Sequence, residues 1–216
     1  MKVLITGTSS GIGQATAEKF INEGHEVYGI DILDASITNP SYHHFKVDVR
    51  SKQLPLINDL NIIISNAGVQ DEETSLDINL LGAINVVEHY LKLTNDIKSV
   101  LFVASASARS GAEFPLYSAS KGGLVTFMKN LALRVGKLGA TCNSISPGAV
   151  ITNINKHIIE NEKLYKEVAN ESILKKWIQP SEIAEWIYFI TVINKSMTGE
   201  DVLVDNGEYL NSNFIW

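Results

Sequence analysis

The stretch LYSASKGGL, residues 116–124, places the phenol of Tyr117 four residues ahead of the ammonium of Lys121. On a helix, positions i and i+4 share a face, with Cβ atoms about 5–6 Å apart. A free phenol titrates near 10 and is a poor base at neutral pH. Lowering that pKa by about 3 units needs roughly 4 kcal/mol, about what one close cation supplies at an effective dielectric near 20. Tyr117 could then take a proton from an alcohol or give one to a carbonyl. Ser105 ends the apolar run VLFVAS and offers a hydroxyl to orient a substrate oxygen, with Ser107 an alternative for the same task. Gly122 and Gly123 each cost roughly 1 kcal/mol against Ala inside a helix, which points to close packing of a neighbouring element there.

A second signature opens the chain. The run KVLIT leads into TGTSSGIG, residues 6–13, and then into a helical pattern. Gly7, Gly11 and Gly13 permit a tight turn, and Ser9, Ser10 and Ile12 complete a helix N-terminus whose free N–H groups suit a pyrophosphate. No Gly-Lys-Ser/Thr follows, so this is not a P-loop. The next apolar run ends at Asp31, 18 residues beyond Gly13. A carboxylate there can accept from ribose hydroxyls and repels a 2′-phosphate, which favours NAD over NADP.

The elements that must hold these groups follow from hydrophobic pattern. Valine- and isoleucine-rich runs recur at 2–6, 26–30, 45–49, 61–65, 100–105, 141–146 and 201–205. Continuous apolar runs fit strands buried on both faces. Helical spacing occupies 11–23, 75–93 and 117–137, with Gly24 a plausible stop for the first. Alternating strands and helices predict a doubly wound α/β fold with a seven-stranded, mainly parallel sheet flanked by helices. The connections before and after the third run are short and carry Pro40 and Pro55, so brief helices or loops are expected there.

Taken in order, these motifs resemble the classical short-chain dehydrogenase/reductase family. The resemblance is carried by Thr6-Gly7-x-x-x-Gly11-Ile12-Gly13, Asn66-Ala67-Gly68, Ser105 ahead of Tyr117-x-x-x-Lys121, Asn143 with Pro147-Gly148 and Thr152, and Thr198-Gly199 with Val204-Asp205. It implies a Rossmann-type sheet, a nicotinamide cofactor, and oxidation of a small alcohol or reduction of its carbonyl. It also implies catalytic roles for Asn79, Ser105, Tyr117 and Lys121, Asn79 holding a water in a proton relay with Lys121. Cofactor contacts are implied at the glycine turn, at Asp48 and Val49 by the adenine, and at Asn66, Ala67 and Gly68. Further contacts come from Tyr117 and Lys121 and, near the nicotinamide, from Pro147, Gly148, Val150 and Thr152. The segment of about 151–180 is expected to close over substrate, and the long helices to mediate a homodimer or homotetramer. Asn206 departs from the family pattern by replacing its usual glycine. An NAD(H)-binding sensor without turnover and a 3-oxoacyl carrier-protein reductase remain alternative readings.

The totals bound the rest. A chain of 216 residues with 45% hydrophobic and 19% charged residues suits one domain, 1–216. A net charge of −6 argues against nucleic acid or an anionic membrane as partner. No run approaches a membrane span, the N-terminus does not read as a signal peptide, and the single Cys142 fits a reducing cytoplasm. His43 and His44, adjacent in a strand, point to opposite faces and cannot chelate jointly, so no metal site is expected.

Overall fold

Seven strands form one parallel sheet in the order β3-β2-β1-β4-β5-β6-β7. They are β1 (Lys2–Thr6), β2 (Glu26–Asp31), β3 (Tyr42–Lys46), β4 (Ile62–Ser65), β5 (Ser99–Val103), β6 (Thr141–Pro147) and β7 (Asp201–Val204). The coordinates are a computed structural model that describes residues 1–111 and 114–211. Residues 214–216, whose aromatic end suggests an interface, lie outside the described residues.

The central strands are apolar throughout because both faces are covered. Leu4, Ile63 and Phe102 pack on one face with Val86, Tyr90, Leu124 and Met128. Val3, Ile5, Ile62 and Ile64 pack on the other with Phe20, Ile183 and Ile187. The second face is covered by α1 (Gly11–Asn22) and α7 (Pro180–Tyr188). The first is covered by α2 (Ala83–Leu91) and α4 (Pro115–Val135), with the short α3 (Ser107–Ser110) between them. Gly24, at φ +79°, ends α1 as expected, its N–H bonding Ile21 O at 3.0 Å.

Two expectations need correction. The third strand lies at Tyr42–Lys46, three residues earlier than its apolar pattern suggested, in register from Val27↔Tyr42 to Asp31↔Lys46. Asp48 ends it: its carboxylate accepts the Arg50 N–H at 2.8 Å and its carbonyl that of Ser51 at 2.9 Å, turning the chain away. The long helix expected over 75–93 begins as a π-helix, Leu76–Gly82, before tightening into α2.

The two short connections are loops, as their length demanded. The second is fastened to α2 instead of forming its own helix. Asn85 Nδ2 donates to Val49 O and Ser51 O at 2.7 and 2.9 Å, and Tyr90 Oη donates to Pro55 O at 2.9 Å. Ile57 and Leu60 fill the core beneath.

The paired glycines of α4 are not equivalent. A Cβ at Gly123 would lie 2.9 Å from Leu80 Cδ2 on the π-helix, whereas one at Gly122 would meet only Ala108 O at 3.8 Å. Gly122→Ala should therefore gain about 0.5–1 kcal/mol of stability from helix propensity. Gly123→Ala should lose that gain because Leu80 must shift. Thermal unfolding of the two variants checks this; equal gains would show that the π-helix contact exerts no constraint.

Candidate active site

Strand order reverses between β1 and β4, so their carboxyl ends part and open a crevice. The turn after β1 is drawn tight against the end of β4. Thr6 Oγ1 accepts the N–H groups of Asn66 and Ala67, both at 2.9 Å, and Asn66 Nδ2 donates to Thr6 O and Gly7 O at 2.9 and 3.2 Å. Gly7 has φ +74°, and a Cβ on Gly13 would sit 1.9 Å from Gly7 O. No side chain fits at that crossing. Ser10 is the N-cap of α1, and Gly11 lies against the Thr152 methyl.

Asp31 is held from both sides. Its Oδ2 accepts the Ser9 N–H and its Oδ1 the Leu33 N–H, each at 2.9 Å. Ser9 Oγ is buried with no hydrogen-bond partner among the described residues. A helix N-terminus crossed by bare glycines, with a carboxylate fixed beside it, fits the pyrophosphate and ribose of a dinucleotide.

One cleft of about 990 Å³ runs along the carboxyl ends of the strands. Gly7, Ser10, Gly11, Ile12, Asp31, Asp48 and Val49 line one end, and Asn66, Ala67 and Gly68 the middle. Ser105, Tyr117, Lys121, Pro147, Gly148 and Val150 line the other, and Thr152 reaches back against Gly11. Three expected residues stand behind the wall instead: Ser9, Gly13 and Asn79.

Lys121 is almost wholly buried, and its Nζ donates to Val103 O at 2.8 Å. Burial lowers its pKa from 10.5 to about 8. The same Nζ lies 5.8 Å from the Tyr117 ring centroid. A Cβ on Gly68 would stand 3.0 Å from Asn79 Oδ1 and 3.3 Å from Lys121 Nζ, so the bare glycine lets both groups close on one spot. Asn79 sits in the π-helix, a form common at functional sites. Its amide is spent on structure: Oδ1 accepts the Val69 N–H, and Nδ2 donates to Val69 O and Ser120 Oγ.

The two serines are joined. Ser107 donates both its N–H and its hydroxyl to Ser105 Oγ, at 3.2 and 2.9 Å. With its lone pairs occupied, the Ser105 hydroxyl has its own hydrogen left for a group in the cleft.

Several lining residues escaped the sequence reading. Arg50 grips the Asp48 carboxylate through Nε and Nη2, and that bond holds the Asp48 pKa below the usual carboxylate range. Trp177 anchors the covering segment. It is buried, its Nε1 donates to Tyr165 O at 3.0 Å, and its ring stacks on Tyr165 at 5.4 Å. That segment carries α5 (Lys156–Ile159) and α6 (Glu162–Glu171), and Phe114, Ile158 and Val168 make the apolar part of the wall there. Glu208 projects against Gly148, where a Cβ would meet its Oε2 at 2.8 Å. For Ile158, Val168 and Trp177 the sequence signal was the covering role expected of 151–180; Arg50, Phe114 and Glu208 lie outside that segment. Among the described residues no His, Cys, Asp and Glu side chains gather as a metal-holding group, and no helix is long and apolar enough to cross a membrane.

Comparison with known proteins places this geometry in context. A family model described as enoyl-(acyl carrier protein) reductase matches residues 47–208. The chain is 29% identical to glucose 1-dehydrogenase of Gluconobacter oxydans, over 99% of this chain and 93% of that protein. It is 27% identical to the L-rhamnose 1-dehydrogenase (NADP(+)) of Thermoplasma acidophilum, over 96% of each. The structure of 4-hydroxyisoleucine dehydrogenase complexed with NADH superposes with a TM-score of 0.86 at 24% identity, covering 97% of this chain and 98% of that one.

Lys121 also yields a stability prediction. Its folded pKa lies below the unfolded value, so the folded state pays for the charge below pH 8 and is relieved as pH rises from 8 towards 10.5. That cost is about 3 kcal/mol, against roughly 1–3 kcal/mol for leaving the Val103 carbonyl unbonded once the amine is removed. Lys121→Met should thus unfold at the wild-type temperature or a few degrees above it at pH 7. A fall of more than about 5 °C in a calorimetric scan would contradict it.

Proposed function

Because the chain belongs to the short-chain dehydrogenase/reductase family, we propose that this oxidoreductase passes hydride between NAD(H) and a small alcohol or its carbonyl, with Tyr117 as general acid and base. The observation that carries this reading is the convergence of Tyr117, Lys121 and Ser105 at one end of a cleft whose other end is a glycine turn and Asp31.

A bound nicotinamide supplies the hydride acceptor or donor. The protein supplies position and proton. Ser105 gives its hydrogen to the substrate oxygen, oriented by the two bonds from Ser107. Tyr117 takes the alcohol proton, or returns it to the carbonyl oxygen, as the C–H bond breaks or forms. Lys121 spends one of its three donors on Val103 O and directs its charge to the phenolate. Because desolvation already brings its pKa to about 8, the ammonium begins to lose its proton in mild alkali, and its support for the phenolate fades with it. Asn79, Val69 and Ser120 hold the wall behind that ammonium in place.

The choice of NAD rests on Asp31, a cleft-lining carboxylate whose two oxygens are each held by a backbone N–H. The nearby cation Lys46 is already paired with Asp34 at 2.8 Å. A 2′-phosphate would meet a carboxylate with no free cation offered by these residues. We place the protein in the cytoplasm, a setting that keeps Cys142 a thiol. We also place it in a homo-oligomer built on the outer faces of α2 and α4, where Leu133 is 74% exposed.

Two measurements test the proposal. Tyr117→Phe should lower turnover on an alcohol identified by screening by about 10²–10⁴-fold, with NADH affinity within a few-fold of wild type. A variant that kept most of its turnover would end the acid/base assignment. In fluorescence titrations NADH should bind more tightly than NADPH; the opposite order would remove NAD as the cofactor.

A further inference from the structure

Glycine in the middle of a strand weakens it and marks a site where something approaches closely. Gly29 is such a residue, paired with Ile5 on one side and His44 on the other. A Cβ there would lie 2.3 Å from Tyr42 Oη and 2.6 Å from Thr8 Oγ1. The space a side chain would need is filled by two hydroxyls.

Those hydroxyls belong to a chain of hydrogen bonds. Thr8 Oγ1 and Tyr42 Oη are 2.8 Å apart, Tyr42 Oη and His44 Nδ1 2.9 Å, and His44 Nε2 and Leu33 O 2.9 Å. Thr8 is fully buried and Tyr42 nearly so. The Leu33 carbonyl can only accept, so Nε2 carries the hydrogen. In a neutral imidazole Nδ1 then accepts, which makes Tyr42 the donor to His44 and Thr8 the donor to Tyr42. Burial, with the Asp31 charge adding to it, raises the Tyr42 pKa and keeps the phenol protonated for that role.

Both ends of this chain stop beside Asp31. Thr8 precedes Ser9, whose N–H holds Asp31 Oδ2, and Leu33 holds Asp31 Oδ1 with its N–H while receiving His44 on its carbonyl. The same two backbone segments are therefore tied twice, once through the carboxylate and once through the side chains. Stability does not call for the polar route: replacing a buried hydrogen-bonded pair with apolar groups of similar shape is close to neutral, and an alanine at Gly29 would suit the strand better.

We propose that Thr8, Tyr42 and His44 are positioning residues for the adenosine end of the cleft, fixing Asp31 and with it the affinity for NAD(H) and the rejection of NADP(H). This rests on the NAD reading above.

Tyr42→Phe tests it by removing one hydroxyl and both of its bonds. The NADH Kd should rise about tenfold, equivalent to about 1.4 kcal/mol, while the NADPH Kd moves less than twofold and kcat at saturating cofactor stays within twofold. In the Asp31→Ala background the same substitution should add nothing, because the relay acts through that carboxylate. His44→Leu removes the bonds to Tyr42 Oη and Leu33 O, leaves the Thr8–Tyr42 hydroxyl pair intact, and should shift NADH in the same direction; it decides the matter if Tyr42→Phe fails to fold. An NADH Kd within twofold of wild type, equal losses for NADH and NADPH, or additive effects with Asp31→Ala would each overturn the proposal. If the wild type itself bound NADPH more tightly, the NAD reading would fall and this inference with it. A wild type that prefers NADH beside insensitive variants would sink the relay alone.

Discussion

The site depends on keeping one ammonium group almost out of water. Lys121 Nζ donates to one backbone carbonyl among the described residues, Val103 O, and the burial that surrounds it costs several kcal/mol. Every neighbouring element is shaped by that placement. Gly68 has no side chain where the amine and Asn79 converge, and Leu80, one residue beyond Asn79, presses on Gly123, two residues beyond Lys121. The helix that carries the asparagine and the helix that carries the lysine thus pack tightly beside the buried amine. The widened π-turn Leu76–Gly82 buries Asn79 in the same place, and Gly82 passes Val49 at close range.

The two ends of the cleft are held by different means. At the reacting end, packed helices and a buried charge fix the side chains, and Ser107 fixes Ser105. At the adenosine end, loops replace helices, and polar contacts to backbone do the fixing: Asp31 between Ser9 and Leu33, Asp48 under Arg50, and Asn85 and Tyr90 tying down the chain after β3. Loops of this kind contribute little apolar burial of their own. Their geometry must come from hydrogen bonds, and those bonds involve residues distant in sequence.

That contrast explains what could be read from the chain alone. The apolar runs of β1, β4 and β5 declare strands buried on both faces, and the glycine turn and the Tyr117–Lys121 spacing are local patterns that announce their own geometry. The position of β3 was misread because His43 and His44 look polar, yet they pair inside the strand while the apolar Val47 lies beyond it. The π-turn left no trace in hydrophobic spacing, since Leu76, Leu80 and Ile84 fit an ordinary helix equally well. Ser107 was visible only as a rival to Ser105; that it donates to its neighbour is a matter of rotamer and distance. The contact of Tyr42 with Thr8 spans 34 residues, and its one local sign was a glycine in a strand that otherwise reads as a good β-former.

The loop connections around β3 have a consequence for how such a protein can change. Asp31, Tyr42 and His44, proposed above to set the choice of dinucleotide, fall within a short stretch from β2 to β3, on the far side of β1 from α4. Mutations accumulating in that stretch leave α4 and its buried amine untouched. Selection can therefore reshape one end of the cleft while the other stays as it was.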